Sequence, residues 1–174
     1  MDHLHTFTAF AATYGSLDDA EAGYKAITDL SNKEYVLESF DVAVLTKDDK
    51  GKVKIVKKHE QPLRQGAWVG GGIGLATGLC VALFPAVALG AGLAWGAGIG
   101  GSLGALAGHA AAGMSRSDLK DLGELLDDGT SGLLVIAATD VEAHVERAIT
   151  RAKKQEKKQV QVDADKLKEQ IDAA

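Results

Sequence analysis

Hydrophobic and polar residues follow short, regular patterns in the first third of the chain, and these predict strand, helix, strand and strand. Residues 4–13 (LHTFTAFAAT) are rich in β-branched and aromatic residues and partly alternate, which is typical of a strand. Ser16 predicts the N-cap of a helix, because acidic residues fill the first turn and apolar residues then recur at spacings of three and four. Residues 40–46 and 52–58 flank the turn KDDKG, so they predict a β-hairpin in which Gly51 is available for a positive φ.

Similar patterns resume after residue 115. Ser115 or Ser117 caps a predicted helix over residues 118–126, and the apolar run 133–138 (LLVIAA) is typical of a buried central strand. A last helix begins at Val141, with aliphatic residues on one face. Without the segment in between, the order is β-α-β-β-α-β and then a C-terminal helix. The sequence therefore predicts an α+β fold with a ferredoxin-like βαββαβ sheet.

The segment between these patterns, Ala67–Gly113, is apolar and contains no Asp, Glu, Lys or Arg. Glycines recur in and beside it every four residues, and residues four apart share one face of a helix. Each glycine costs about 1 kcal/mol relative to alanine in a water-exposed helix, so another backbone must approach this face closely. The helix-packing residues of this predicted glycine zipper are Gly66, Gly70, Gly74, Gly78, Gly92, Gly96, Gly100, Gly104 and Gly108.

The two glycine series mirror one another about Pro85, which predicts an antiparallel helical hairpin with its turn at Phe84 and Pro85. Four parts of the chain follow. Residues 1–64 and 116–140 form the two parts of the ferredoxin-like domain, residues 65–115 form the hairpin, and residues 141–174 form a charged C-terminal helix.

The medium around the hairpin remains open between lipid and protein. Each arm has about 17–22 uncharged residues, against the roughly 20 needed to cross a bilayer. Basic residues stand on both flanks and none stands at the turn, so the positive-inside rule places both termini in the cytoplasm. Alternatively, several hairpins bundle into the dry core of a soluble oligomer. Since so large an apolar surface needs a partner in either case, the sequence predicts self-association.

Composition and charge narrow the classes of function. The chain has 174 residues, a net charge of −5 and a pI near 5.5, which do not suggest a nucleic-acid partner. Its single cysteine, Cys80, excludes an intramolecular disulfide and fits a reducing compartment. The N-terminal residues lack the basic and apolar regions of a secretory signal.

No set of residues predicts catalysis, a metal or a cofactor. His3 and His5 would lie on one side of a strand, but no third ligand has a matching spacing. Nothing charged stands near Cys80 to lower its pKa, so it is interpreted as a core residue rather than a nucleophile. Six bases cluster towards the end of the chain, and they form either an exposed helical face or a contact with anionic lipid headgroups or an acidic partner. They are Arg147, Arg151, Lys153, Lys154, Lys157 and Lys158.

The arrangement resembles a known bacterial family. The hairpin "DDKGKVKI" is followed by the glycine-rich double segment, by "LGELLDDGTSGLLVIAATD" and by a helix beginning "VEAHVERAI". Over residues 5–150 this is similar to domain-of-unknown-function family 1269, usually described as membrane proteins, and more loosely to heat-induced general stress proteins. The resemblance implies a frame that faces the cytoplasm, a membrane-type hairpin and no known activity. The tail, residues 151–174, is longer and more charged than the family pattern requires.

Together these observations predict a non-enzymatic, membrane-associated homo-oligomer that assembles through its glycine zipper and has a stress- or envelope-related role. Its expected partners are further copies of itself and membrane lipid. The alternative is a soluble homo-oligomeric scaffold whose hairpins enclose an apolar core or a chamber for a lipid-like ligand.

Overall fold

The protein is a mixed α+β unit, seen here in a computed structural model that describes residues 4–34, 40–60, 75–84, 88–89, 112–138 and 142–163. Six strands and four helices lie in these ranges. In chain order they are β1 (Leu4–Tyr14), α1 (Leu17–Glu34), β2 (Phe40–Lys47), β3 (Val53–Glu60), α2 (Leu75–Leu83), β4 (Ala88–Leu89), α3 (Arg116–Asp128), β5 (Ser131–Ala138), α4 (Glu142–Ala148) and β6 (Lys154–Asp163).

The strands form one sheet in the order β4-β3-β2-β5-β1-β6. The five longer strands pair with one another antiparallel, and the two-residue strand β4 is parallel to β3. Strand β1 lies between β5 and β6, with Phe10 opposite Val135 on one side and Lys157 on the other. The α+β prediction is therefore confirmed as an antiparallel sheet with helices packed on it.

Both faces of the sheet are covered, and the alternation of side chains along β1 separates two cores. Phe10 and Tyr14 point to the first face, where they pack with residues of α1 and α4. Phe7 and Ala9 point to the second face, which α2 and α3 cover. The central strands β1 and β5 are therefore nearly continuous apolar runs, as expected for strands that are buried on both sides.

Several local predictions are confirmed. The Ser16 hydroxyl accepts a hydrogen bond from the backbone N–H of Asp19 at 3.2 Å, and Ser115 rather than Ser117 caps α3 by accepting from the N–H of Asp118 at 3.0 Å. In the turn between β2 and β3, Gly51 has a φ of +78°.

The Asp48 carboxylate closes the same turn by accepting hydrogen bonds from the backbone N–H groups of Lys52 and Lys50, both at 2.9 Å. These bonds stabilise the charged carboxylate, and they hold the pKa of Asp48 below its usual value.

The predicted C-terminal helix over residues 141–174 is confirmed in its first part and wrong for residues 154–163, while residues 164–174 lie outside the described residues. Helix α4 spans Glu142–Ala148, but Lys154–Asp163 form strand β6 along β1. Neighbouring charged residues of β6 lie on opposite faces of the sheet, as strand geometry requires. Lys157 faces the acidic residues of α4 on one side, and Lys158 faces those of α3 on the other. Pairing with β1 thus outweighs the local helical propensity.

Candidate functional site: the glycine-rich segment and the sheet edges

Helix α2 contains most of the described first half of the glycine-rich segment, and it packs on the second face of the sheet. Ala76, Leu79 and Cys80 have no exposed surface and belong to the same core as residues of β2 and β5. Leu83 and Phe84 pack partly buried against this core. The protein's own sheet therefore replaces water around this face of the segment.

The chain does not turn directly into a second helix after α2. Phe84, the residue after the last residue of α2, donates its backbone N–H to the carbonyl oxygen of Cys80 at 2.8 Å. Ala88 and Leu89 are extended and pair with Lys54 and Ile55 of β3. The predicted helical hairpin is wrong for these two residues, because an extended chain can satisfy the N–H and C=O groups on the outer edge of β3.

The end of the glycine-rich segment reaches the opposite edge of the sheet. The carbonyl oxygen of Gly113 accepts a hydrogen bond from the backbone N–H of Gln161 in β6 at 3.0 Å. A Cβ atom at position 113 would overlap the carbonyl oxygen of Gln161, so this contact between backbones requires glycine. The chain thus leaves the sheet beside β3 and returns to it beside β6.

The predicted helix-packing glycines are only partly within the described residues. Gly78 is, and it is buried in α2. The others, and Pro85 of the predicted turn, lie outside the described residues; they are Gly66, Gly70, Gly74, Gly92, Gly96, Gly100, Gly104 and Gly108.

Lysine side chains connect the edge strands to the helices on the first face. Lys157 of β6 places its ammonium 2.5 Å from Glu142 and 2.6 Å from Glu146, four residues apart on α4. These hydrogen bonds stabilise the charged ammonium and raise the pKa of Lys157 above its usual value. At the other edge, Lys57 of β3 lies 3.4 Å from Glu21 of α1.

On the second face, Lys158 has the equivalent position relative to α3. Its ammonium lies 3.0 Å from Asp121 and 3.5 Å from Asp118, and the hydrogen bond to Asp121 is the main reason that the pKa of Lys158 is raised. Two of the six clustered bases are therefore paired within the chain, on a strand and not on a helical face. The sequence signal for these contacts was the spacing of the acidic residues, which are three apart in α3 and four apart in α4 and therefore share one helix face.

A cavity of about 160 Å³ lies between α4 and β6. It is lined by Phe10, Glu146, Gln155, Glu156 and Lys157. Lys157 is already bound to two carboxylates there, whereas the buried Oε2 atom of Glu156 has no hydrogen-bond partner among the described residues.

One buried polar group was missed by the sequence interpretation. Tyr14 is 2% exposed, and its hydroxyl has no hydrogen-bond partner within the described part of the chain. It lies against α1, where a Cβ atom added to Gly23 would be 2.5 Å from the hydroxyl oxygen. Burial, together with the charge of Asp19, raises the pKa of Tyr14 to about 12. Nothing in the sequence pattern marks this position.

Among the described residues, no group of three His, Cys, Asp or Glu side chains could hold a metal ion. Cys80 is completely buried, as a core residue would be, and the His3 position lies outside the described ranges. None of the helices in the described ranges has the length and apolar character needed to cross a membrane. Comparisons of the chain with protein-family models, curated proteins and solved structures gave no match.

Proposed function

We propose that this chain is a non-enzymatic protein that self-associates through its glycine-rich segment, with the α+β unit as the frame that presents it. The observation that carries the proposal is the packing of α2. This helix contributes fully buried side chains to a core that also contains residues of all five long strands. Since α2 is built into the frame, the proposal is that the glycine face of the segment is held in one place and is recognised there by a second copy.

The anchored ends of the segment favour packing against protein rather than a complete crossing of a bilayer. Ala88 and Leu89 pair with β3, and Gly113 bonds to β6. The 22 residues from 90 to 111 lie between these anchors. Crossing and returning would need about 40 residues in helical form.

The second candidate is association with a lipid surface, with both termini on the cytoplasmic side. It is favoured by the composition of Ala67–Gly113, which has no charged residue. A stress- or envelope-related role, as the resemblance to family 1269 implies, would fit either candidate.

A ferredoxin-like interpretation of the frame is part of the proposal. Helix α1 connects β1 to β2, α4 connects β5 to β6, and the sheet order contains β2-β5-β1-β6. This order supports a split βαβ frame to which β3 adds an edge strand. The glycine-rich segment would then be an insertion that covers the second face.

Substitution of the central glycines tests the proposed association surface. Gly96→Leu and Gly100→Leu each add a side chain where two backbones would meet, whereas Ile99→Leu conserves volume and serves as the matched control. Light scattering should show that both glycine variants form assemblies of lower molar mass than the parent, while Ile99→Leu forms assemblies of the parental mass. An unchanged mass in both glycine variants would rule out the segment as the association surface.

Vesicle flotation separates the two candidates. The parental protein is mixed with vesicles that contain an anionic phospholipid and centrifuged through a density gradient. Association through protein alone predicts that the protein stays at the bottom as an oligomer. Flotation that persists at high salt, where ionic attraction is screened, would favour the lipid surface.

A further inference from the structure

The outer edge of β6 presents backbone groups in a regular order. The Gln161 N–H points away from the sheet, since it donates to Gly113 and not to β1. Backbone N–H and C=O directions alternate along a strand, so Gln155, Lys157 and Gln159 also direct theirs outward. Strand β6 is the last strand of the sheet within the described residues.

The charged side chains of β6 do not shield this edge. Lysine often protects an edge strand by extending past it into solvent. Here Lys157 is held above the sheet by α4, and Lys158 is held below it by α3. Gln155 and Gln159 are exposed. Among the described residues, no strand pairs with the outward side of residues 155–159.

Glu156 supplies a second observation at the same place. It shares the second face with Lys158, two residues along the strand. Its Oε2 atom is buried and has no hydrogen-bond partner in the described ranges. A buried carboxylate oxygen is costly to leave without a donor, so this position is incomplete in a single copy.

We propose that β6 pairs with β6 of a second copy, antiparallel, about a two-fold axis at Lys157. Gln155 then lies opposite Gln159 of the second copy. Glu156 lies opposite Lys158 of the second copy, and by symmetry the same pair forms twice. The contact adds a second self-association surface to the proposed function and does not involve the glycine-rich segment.

Charge selects this register from those that the hydrogen bonds allow. Antiparallel pairing of the outward groups permits the axis at each successive residue. An axis at Glu156 places Glu156 opposite itself, and like charges opposite each other destabilise a sheet. An axis at Lys158 places Gln155 opposite Gln161, whose outward N–H already bonds to Gly113, and Glu156 opposite the apolar Val160. An axis at Gln159 would require the outward groups of Gln161, which Gly113 occupies. The axis at Lys157 gives two opposite-charge pairs, and each Lys157 is already bound to two glutamates.

Disulfide trapping tests the register directly. Gln155→Cys and Gln159→Cys are made separately in the full-length protein, mixed in equal amounts and mildly oxidised. Directly opposite residues in this type of pair have Cα atoms about 5.5 Å apart, within disulfide range. Two copies of residue 155 would be about 14 Å apart, beyond disulfide range. Rapid cross-linking of the mixture but not of Gln155→Cys alone is the expected result, and equal or absent cross-linking in the mixture would overturn the proposal.

Charge and backbone variants test the energetics. Glu156→Gln removes both opposite-charge pairs and should weaken the β6 contact about fivefold or more in sedimentation equilibrium. Glu124→Gln, an exposed ion-paired acid on α3, is the matched control and should leave the dissociation constant unchanged. Gln159→Pro removes an outward N–H that does not bond to β1, so the fold should persist while the dissociation constant of the β6 contact rises in sedimentation equilibrium. An unchanged dissociation constant in Glu156→Gln would contradict the selected register.

The two self-association surfaces can fail independently. Cross-linking of residues 155 and 159 that persists while Gly96→Leu and Gly100→Leu leave the mass unchanged would reject the glycine-rich surface and keep the β6 contact. The reverse pattern would reject the β6 contact and keep the glycine-rich surface.

Discussion

The buried hydroxyl of Tyr14 gives a test of the first-face core. Replacing Tyr14 with Phe keeps the ring, which packs with residues of α1 and β5, and removes a polar atom that has no partner within the described residues. A buried donor or acceptor without a hydrogen bond costs about 1–3 kcal/mol. We therefore expect Tyr14→Phe to increase the free energy of unfolding at pH 7 by about 1 kcal/mol.

The same substitution should change the response to alkaline pH. Burial raises the pKa of Tyr14 to about 12 in the folded protein, against about 10 in the unfolded chain. Because the fold favours the neutral phenol, the contribution of this group is complete below pH 10 and decreases as the pH rises towards 12. The decrease amounts to about 2.7 kcal/mol once both states are ionised. The Phe variant lacks this loss.

Urea unfolding of both proteins at pH 7, 9.5 and 11 measures the two effects. The difference between Tyr14→Phe and the parent should be positive at pH 7 and should grow between pH 9.5 and 11. Tyr24→Phe, at a partly exposed tyrosine of the same core, controls for the general effect of removing a phenol hydroxyl. A loss of 1 kcal/mol or more in Tyr14→Phe at pH 7, or a difference that does not grow with pH, would refute the reasoning.

Three further predictions concern the elements that position the site. Gly23→Ala should destabilise the parent, because its Cβ would lie 2.5 Å from the Tyr14 hydroxyl oxygen. The same substitution should cost less unfolding free energy in the Tyr14→Phe background. A double-mutant cycle of urea unfolding energies measures this coupling, and equal costs in the two backgrounds would contradict the contact. Gly113→Ala should lower the melting temperature and increase proteolysis of the glycine-rich segment, since the new methyl group meets the Gln161 backbone, whereas the exposed Ala112→Gly should not; a melting temperature equal to the parent's would contradict this close approach. Ser115→Ala should cost about 1 kcal/mol in unfolding free energy by removing the N-cap of α3, whereas Ser117→Ala should be close to neutral; similar values for the two would show that the cap is not formed in solution.

Local rules predicted the elements whose signals lie within a few residues. The cap at Ser16 and the positive φ of Gly51 depend on neighbours in sequence, and the structure has both. The apolar run 133–138 predicted a buried central strand, and β5 lies between β1 and β2. These features follow from short-range hydrogen bonding and from burial of a continuous apolar run.

The features that failed depend on contacts between distant residues. Strand β6 has few apolar residues, and its strand conformation comes from pairing with β1 nearly 150 residues earlier. The ion pairs of Lys157 and Lys158 likewise join a strand to two separate helices. From sequence alone, Ala88 and Leu89 are interpreted as part of an apolar helix, because no nearby residue indicates that they pair with the edge of β3. A pattern that repeats every three or four residues carries no information about such distant partners.

The central position of β1 has a consequence for how the chain is made. This strand is synthesised before both of its neighbours, β5 and β6, which follow only after the whole glycine-rich segment has emerged. The nascent chain therefore carries an apolar strand and a long uncharged segment together before either can be buried completely. Chains with such non-local strand pairing fold slowly, and they expose aggregation-prone apolar surface before folding is complete. We therefore expect a chaperone to protect the chain most in the interval before β5 and β6 emerge.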